Sequence, residues 1–440
     1  MRQMASEWKQ VVVDDVCNVG DGAHAKVKRQ VNGVMYLTSK NIGDGFIKLN
    51  DVNYISETDY KRLFSSNSKA TRRPQAGDLL MGIIGTFGTA YLYKESDFFG
   101  VSSAVALLRP KTNLIHPKFL YYVATSYNFK ATHGAFKSGS VQGYTNIPTI
   151  KRLPIPLPPL ETQRQIASIL SAFDDKIELN RRMNRTLEAM ARALFKSWFV
   201  DFEPVRAKMR GEAPLGMDAE TAALFPDALL GVDGREAPMG WEVKPISSLC
   251  NVVQNGSTPR RLHDDFWVNG SINWFKTGEL TESFLFESEE KITEAGLKGS
   301  SAKLWPAGTV LIAIYAAPTV GRLGILTQPS TSNQACSALI PKPEVGSYYL
   351  WHTLFEAREW LNTISVGAAQ QNISKTVVEN VPALVPSPEI LKIFNREITY
   401  FWEAQKSCQL ESAHLEQLRD ALLPRLLSGE LDVESWEEKV

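Results

Sequence analysis

Six histidines, His24, His116, His133, His263, His352 and His414, are the residues best able to move a proton or hold a metal, and none sits at a useful spacing. No HxxxH or HExxH pair occurs, so no metal site is expected. The four cysteines, Cys17, Cys250, Cys336 and Cys408, form no CxxC pair. They read as small core residues rather than ligands or disulfides. The run Gly82-Ile83-Ile84-Gly85-Thr86-Phe87-Gly88-Thr89 superficially resembles a phosphate loop but lacks the lysine, which leaves a strand and a turn. No GxSxG elbow is present. The (D/N)PP(Y/F) tetrapeptide of a base-amino methyltransferase is missing, and Pro226-Asp227 is followed by Asp233-Gly234-Arg235, not by a lysine-ended acidic pair. The chain is therefore read as non-catalytic, with no cofactor of its own. Spacing alone does not address a catalytic pair divided between distant segments.

The elements that would position any working side chain come twice. Trp8-Lys9 returns as Trp241-Glu242, Cys17-Asn18-Val19 as Cys250-Asn251-Val252, and Pro74-Gln75-Ala76-Gly77 as Pro306-Ala307-Gly308. A period this long is a duplicated domain and not a solenoid. Each copy reads as mixed α/β. Val11-Val12-Val13, Val34 to Leu37, Leu79 to Ile84 and Val101 to Leu108 are strand-like runs bounded by Gly, Asp and Pro, and Phe119 to Phe129 is helical in pattern. In the second copy, Ile272 to Phe275 and Val310 to Ile314 are strands and Tyr348 to Leu361 is the helix. Each copy closes on a proline-rich run, Leu153 to Leu160 and Val381 to Pro388, extended because proline lacks the donor and fixes φ. A peptide for a proline-reading module is the weaker alternative.

Behind each strap the apolar residues step by four and three. The first series is Ile166, Leu170, Phe173, Ile177, Asn180, Asn184, Leu187, Ala191, Leu194 and Trp198. The second lies 228 residues on: Phe394, Ile398, Phe401, Gln405, Cys408, Ser412, Leu415, Arg419, Leu422 and Leu426. This is a heptad seam, apolar at both ends and polar in the middle, where polar residues pin register at a cost in stability. Matched length, centre and strap predict two helices packed antiparallel; two unrelated amphipathic helices on separate cores are the bland alternative. The fold class is α+β: residues 1–160 a first domain, 161–204 a first long helix ended by Pro204, 205–238 a polar linker with a short helix near Ala219 to Leu224, 239–388 a second domain, 389–430 a second long helix and 431–440 an acidic tail.

Net charge is zero but uneven. Residues 1–160 carry 20 basic against 11 acidic side chains, whereas 239–388 carry 11 against 13. A basic first domain points to a polyanion. No apolar run reaches the roughly 20 residues of a membrane span, and no signal-peptide core opens the chain, so a cytoplasmic setting is expected.

At Asn273-Trp274-Phe275-Lys276-Thr277-Gly278, Ser332-Asn333-Gln334-Ala335-Cys336, Pro156 to Ile166, Phe195 to Phe202 and Leu422 to Leu431, the chain resembles the specificity subunit of type I restriction–modification systems. The resemblance covers nearly the whole length. It implies two target-recognition domains, each reading one half of a split site in double-stranded DNA, with paired helices as a spacer of fixed length. It also implies two docked methyltransferase subunits that bind S-adenosylmethionine and methylate adenine, with motor–nuclease subunits joining them. The rival reading is a coiled-coil scaffold whose two domains bind proteins.

On the resemblance, phosphate contacts supply affinity and side chains with paired donors and acceptors supply choice of base. The candidates in the first domain are Lys26, Lys28, Arg29, Ser39, Lys40, Asn41, Arg72, Arg73, Lys137, Ser138, Gln142 and Tyr144. In the second they are Arg260, Arg261, Lys276, Thr277, Lys303, Arg322, Gln370, Gln371 and Asn372. Lys40 and Lys276, each on the turn after a matching strand, are the better picks. Asn146 and Asn372 read rather as turn caps. The acidic balance of the second domain requires Glu287, Glu289 and Glu290 to face away from its basic side chains. Phe195, Trp198, Phe199 and Phe202 exceed what one seam needs, and either dock a methyltransferase subunit or pack on the second domain.

Overall fold

In the computed structural model, described over residues 8–65, 71–85, 88–136, 144–232, 235–315, 319–365 and 372–433, the chain divides into two units. One comprises residues 1–180 and 411–440, the other residues 181–410. No helix among the described residues is long and apolar enough to cross a membrane.

The first unit is built on an antiparallel sheet in the order Cys17–Asp21, Val105–Pro110, Leu79–Gly82, Ala90–Leu92. Leu79–Gly82 is buried on both faces, so it reads as an unbroken apolar run. Successive side chains serve opposite sides, as strand geometry demands. Leu79 and Met81 join Phe119 and Leu120, while Leu80 joins Tyr91 and Phe99 in a second core. A smaller sheet pairs Val34–Leu37 antiparallel with Asn53–Ile55 and parallel with Phe99–Val101. The run expected as one strand over Val101 to Leu108 is thus two, divided where Ser102 Oγ accepts from the Ala104 N–H at 3.3 Å. The expected helix also divides, into Pro117–Thr125 and Tyr127–Ala135. Ser126 is extended (ψ 149°) and its hydroxyl caps the second helix by accepting from the Phe129 N–H. Gln10–Val12 pairs with Pro154–Pro156 in a two-stranded edge, where the missing proline N–H costs nothing, and Val13–Val16 turns helical.

The second unit repeats the plan. Its main sheet runs Cys250–Asn255, Cys336–Pro341, Val310–Ala313, Leu323–Leu326, Ser283–Leu285, the last pair parallel. The register is shared: Cys17 faces Pro110, and Cys250 faces Pro341. All four cysteines are buried thiols outside any disulfide, and burial pushes the Cys17 and Cys250 thiols up to about 12. Glu242–Pro245 pairs with Pro382–Val385 as the second strap. The helical run after the sheet is Ser347–Glu356 followed by Arg358–Ser365.

The segment read as a linker is folded. It forms helices Glu203–Met209 and Ala219–Leu224 and a hairpin of Leu229–Val232 with Arg235–Pro238. Val205 and Phe225 lie buried with Trp198 and Trp241 in the second unit's core, an apolar role that polar neighbours conceal in a composition reading. The long helix ends at Phe199, before Pro204. Phe202 turns left-handed (φ 54°) and Pro204 enters the first turn of the next helix, where its missing donor is harmless.

Both long helices, Leu160–Phe199 and Pro388–Leu427, have 40 residues. Inside the first unit, Arg419 Nη1 donates to Asp174 Oδ1 at 2.7 Å and Asn180 Nδ2 to Glu411 Oε2 at 2.8 Å. Inside the second, Cys408 Sγ lies 3.5 Å from Met183 Sδ, and the Phe394 ring 5.8 Å from Trp198. Numbers rise along one helix as they fall along the other, so within each unit the pairing is antiparallel. Ile166, Leu170, Ile177, Asn180, Ala191, Trp198, Phe394, Ile398, Gln405, Cys408 and Leu426 are buried. Phe173, Leu187, Leu194, Phe401, Leu415 and Leu422 are half-buried.

Candidate nucleic-acid interface

Two loops at equivalent places leave the sheets from glycines that no other residue replaces. A Cβ on Gly22 would stand 2.1 Å from the Val101 carbonyl oxygen, and one on Gly256 would stand 2.2 Å from that of Ser332. The next residue is bonded to the same oxygen in each case: Ala23 N to Val101 O and Ser257 N to Ser332 O, both 2.9 Å. The backbone is anchored there, and the loop beyond it is spent on side chains.

In the first unit that loop carries Lys26, Lys28 and Arg29, all exposed. Among the described residues no carboxylate forms an ion pair with any of them. Nearby, Lys40 follows Val34–Leu37 and is 55% exposed, with Asp51 at 3.8 Å. Its two neighbours belong to the fold instead. Asn41 is fully buried, takes the Thr38 N–H on Oδ1 and donates to the Lys48 and Asn50 carbonyls. Ser39 is buried and donates to the Ile84 carbonyl. Neither presents a group to a ligand, which corrects their place among the expected contacts. Arg72 is half-buried with its Nε enclosed, whereas Arg73 is exposed. Tyr144 is 49% exposed and bridges Ile84. Lys137, Ser138, Gln142, Gln370 and Gln371 lie outside the described residues. Asn146 caps helix Ile147–Lys151, accepting from the Thr149 N–H at 2.9 Å. Its counterpart by register is Ser374, which caps Lys375–Glu379, and not the half-buried Asn372.

The corresponding loop of the second unit is organised differently. Arg260 and Lys303 are exposed, and Arg322 and Thr277 are half-buried. Arg261 lies over the Trp267 ring at 3.8 Å and 4.8 Å from the Trp274 centroid, with the two indoles edge to face at 5.0 Å. Its Nη1 is paired with Glu290 Oε2. Lys276 Nζ is held by Glu289 Oε2 at 2.9 Å and by Glu290 Oε1 at 3.3 Å. Glu279 fixes this corner by accepting the N–H groups of Lys276 and Glu289. The acids therefore do not face away from the bases, contrary to expectation: a compact turn places opposite charges side by side, and attraction keeps them there. The hydrogen bond to Glu289 raises the Lys276 pKa. Burial pushes Glu290 upward, but its bonds to Arg261 and Lys276 prevail and hold its carboxyl below the ordinary range. The tryptophans and Glu290 were missed as partners; the signal available was a basic pair followed by aromatics at Trp267 and Trp274.

The aromatic surplus of the first long helix is buried in its own unit. Phe195, Trp198, Phe199 and Phe202 pack with Tyr349, Trp241 and Phe394. Beside them lies a groove of about 810 Å³, lined by Phe195, Phe199, Val243, Trp360 and Leu384 among others. The first unit has a groove of about 650 Å³ lined by Leu423, Leu427, Gln10, Lys130 and Pro156. These are matching positions: Gln10 faces Pro156 as Val243 faces Leu384.

A duplicated α+β head, a long helix behind each copy and exposed basic side chains on loops springing from the same pinned glycine are the features that the two units share. The family model for the type I restriction modification DNA specificity domain matches residues 5–189 and 238–409, and the chain belongs to that family. The Haemophilus influenzae type I restriction enzyme HindI specificity subunit is 28% identical, over 97% of this chain and all of that one. The MjaIX specificity subunit of Methanocaldococcus jannaschii is 27% identical over 74% of this chain and 71% of its own. In fold, the chain is similar to the crystal structure of a type I restriction–modification S subunit from M. genitalium, with a TM-score of 0.59 at 13% identity over 97% of each. As a family member the chain is a DNA-recognition subunit, and recognition rather than catalysis is its part in the system.

Proposed function

We infer that each unit reads one half of a bipartite site in double-stranded DNA, and that the length of the paired helices sets the gap between halves. The observation that carries this reading is the repeated loop: two copies of one frame, each releasing cationic side chains beyond a glycine that abuts a carbonyl. Exposed lysines and arginines supply phosphate contacts, and the fixed frame supplies register. Two methyltransferase subunits dock on the chain, a reading supported by the matching grooves. They bring S-adenosylmethionine and the transfer of its methyl group to adenine; motor–nuclease subunits add cleavage. The assembly works in the cytoplasm.

The test is selection from a randomised duplex library by the chain co-purified with its methyltransferase. Two short half-sites separated by a constant gap are expected. Removing one heptad from both helices shortens the rod by about 10 Å and the gap by roughly three base pairs, with half-sites retained. Recovery of DNA without sequence preference would leave the protein scaffold as the better reading.

A further inference from the structure

Arg261 is the most constrained exposed cation among the candidate contacts. Its side chain is 50% exposed, yet one face of the guanidinium is covered by Trp267 and one end is committed to Glu290. With Nη1 taken, the Nε and Nη2 groups make up the remaining edge, and no acceptor among the described residues is bonded to it. That edge carries two parallel N–H donors, the pattern that meets O6 and N7 of guanine in the major groove. We propose that Arg261 reads a guanine in the half-site of the second unit, with Glu290, Trp267 and Trp274 as its positioning residues. This rests on the reading of the chain as a DNA-recognition subunit.

Charge separates a base contact from a phosphate contact here. Arg261 and Lys276 face Glu289 and Glu290, and the Glu279 carboxylate closes the same corner, so two cations stand against three carboxylates and the cluster carries no net positive charge. Such a cluster exerts little pull on a phosphate, whose attraction is chiefly coulombic. The acceptors of guanine are uncharged, and what they require is donors at the right spacing and angle. Stacking and the ion pair supply that: the guanidinium is ordered before DNA arrives, so little side-chain freedom remains to be lost on binding. Lys276 completes the arrangement by holding Glu290 from the other side at 3.3 Å.

The experiment uses the chain assembled with its methyltransferase and compares binding across duplexes varied at each position of both half-sites. The wild-type complex should require guanine at one position of one half-site. Arg261→Ala should lower discrimination there by roughly 5- to 150-fold, with the other half-site unchanged, which also shows that the chain is folded. Arg261→Lys keeps the charge but not the planar fork stacked on Trp267, and should lower discrimination less than Arg261→Ala does while retaining the salt dependence. Glu290→Gln should lose part of it. Uniform weakening on all sequences by Arg261→Ala would reveal a phosphate contact and overturn the assignment, as would unaltered discrimination. A wild-type complex with no preference anywhere would remove the underlying reading itself, a result distinct from either.

Discussion

The two units share a frame and differ in what they hang on it. Among the described residues, the loop beyond Gly22 holds three exposed cations with no carboxylate paired to them, while the loop beyond Gly256 leaves Arg260 exposed but draws Arg261 into a closed network with Glu290 and two indoles. Unpaired cations attract any phosphate; ordered and neutralised ones contribute little attraction but strict geometry. The units also differ in the residue that closes the end of a long helix. Trp198 fills that place in the second, and Leu426, 228 residues later, fills it in the first. The same architecture thus permits one half to lean towards affinity and the other towards selectivity.

The largest test of the contrast is at those helix ends. Trp198→Ala should destabilise the second unit by about 3–5 kcal/mol, and Leu426→Ala the first by about 2–5 kcal/mol. Hydrogen exchange resolved along the chain would measure both. Each loss should stay within its own unit's core, and equal loss of protection in both units from either change would show that the cores are not separate. Next in size is the joint change of Lys26, Lys28 and Arg29 to alanine. DNA affinity should fall on the order of a hundredfold, and the slope of log affinity against log salt should flatten by about 2.7, since three phosphate contacts are lost. Sequence preference in the second half-site should survive. If the slope stays unchanged, the loop does not touch the backbone.

A third test, of stability against pH, concerns buried imidazoles. Burial depresses His133 in the first unit to about 4 and, helped by nearby Arg192, His352 in the second to about 3. An unfolded histidine protonates near 6.5, whereas these resist until far lower pH. Both therefore contribute stability that is complete above about pH 6.5 and lost as pH falls, by up to about 1.4 kcal/mol per pH unit for each histidine. Local unfolding followed from pH 7 to pH 4 should show both units weakening as the pH falls. His352→Phe should flatten the second unit's response; a response unaltered by that change would place the sensitivity elsewhere.

The long helices were readable because a four-and-three step is local and survives any tertiary setting, as Ile166, Leu170 and Ile177 show. The straps were readable for the same reason, since proline excludes alternatives by its own chemistry. What escaped depends on partners distant in sequence. Glu290 is 29 residues from Arg261, and nothing in either neighbourhood announces the pair. Asn41 has the donors of a base reader but gives them to its own loop carbonyls. Ser126 divides a helix whose apolar pattern continues through it, because a capping hydroxyl outweighed periodicity. In the segment after Phe202, buried Val205 and Phe225 were hidden among charged and proline residues.

The glycines at the roots of the two loops have an evolutionary consequence. Gly22 and Gly256 are held against carbonyl oxygens that every sequence possesses, whatever its side chains. Mutation can therefore change exposed positions beyond them, such as Lys28, Arg29 and Arg260, without disturbing that attachment. The far ends are tied down in the same way, since a Cβ on Gly33 or Gly270 would stand 2.4 Å from the Ile55 or Lys291 carbonyl oxygen, so a lineage can vary the side chains between two fixed points while inheriting the scaffold intact.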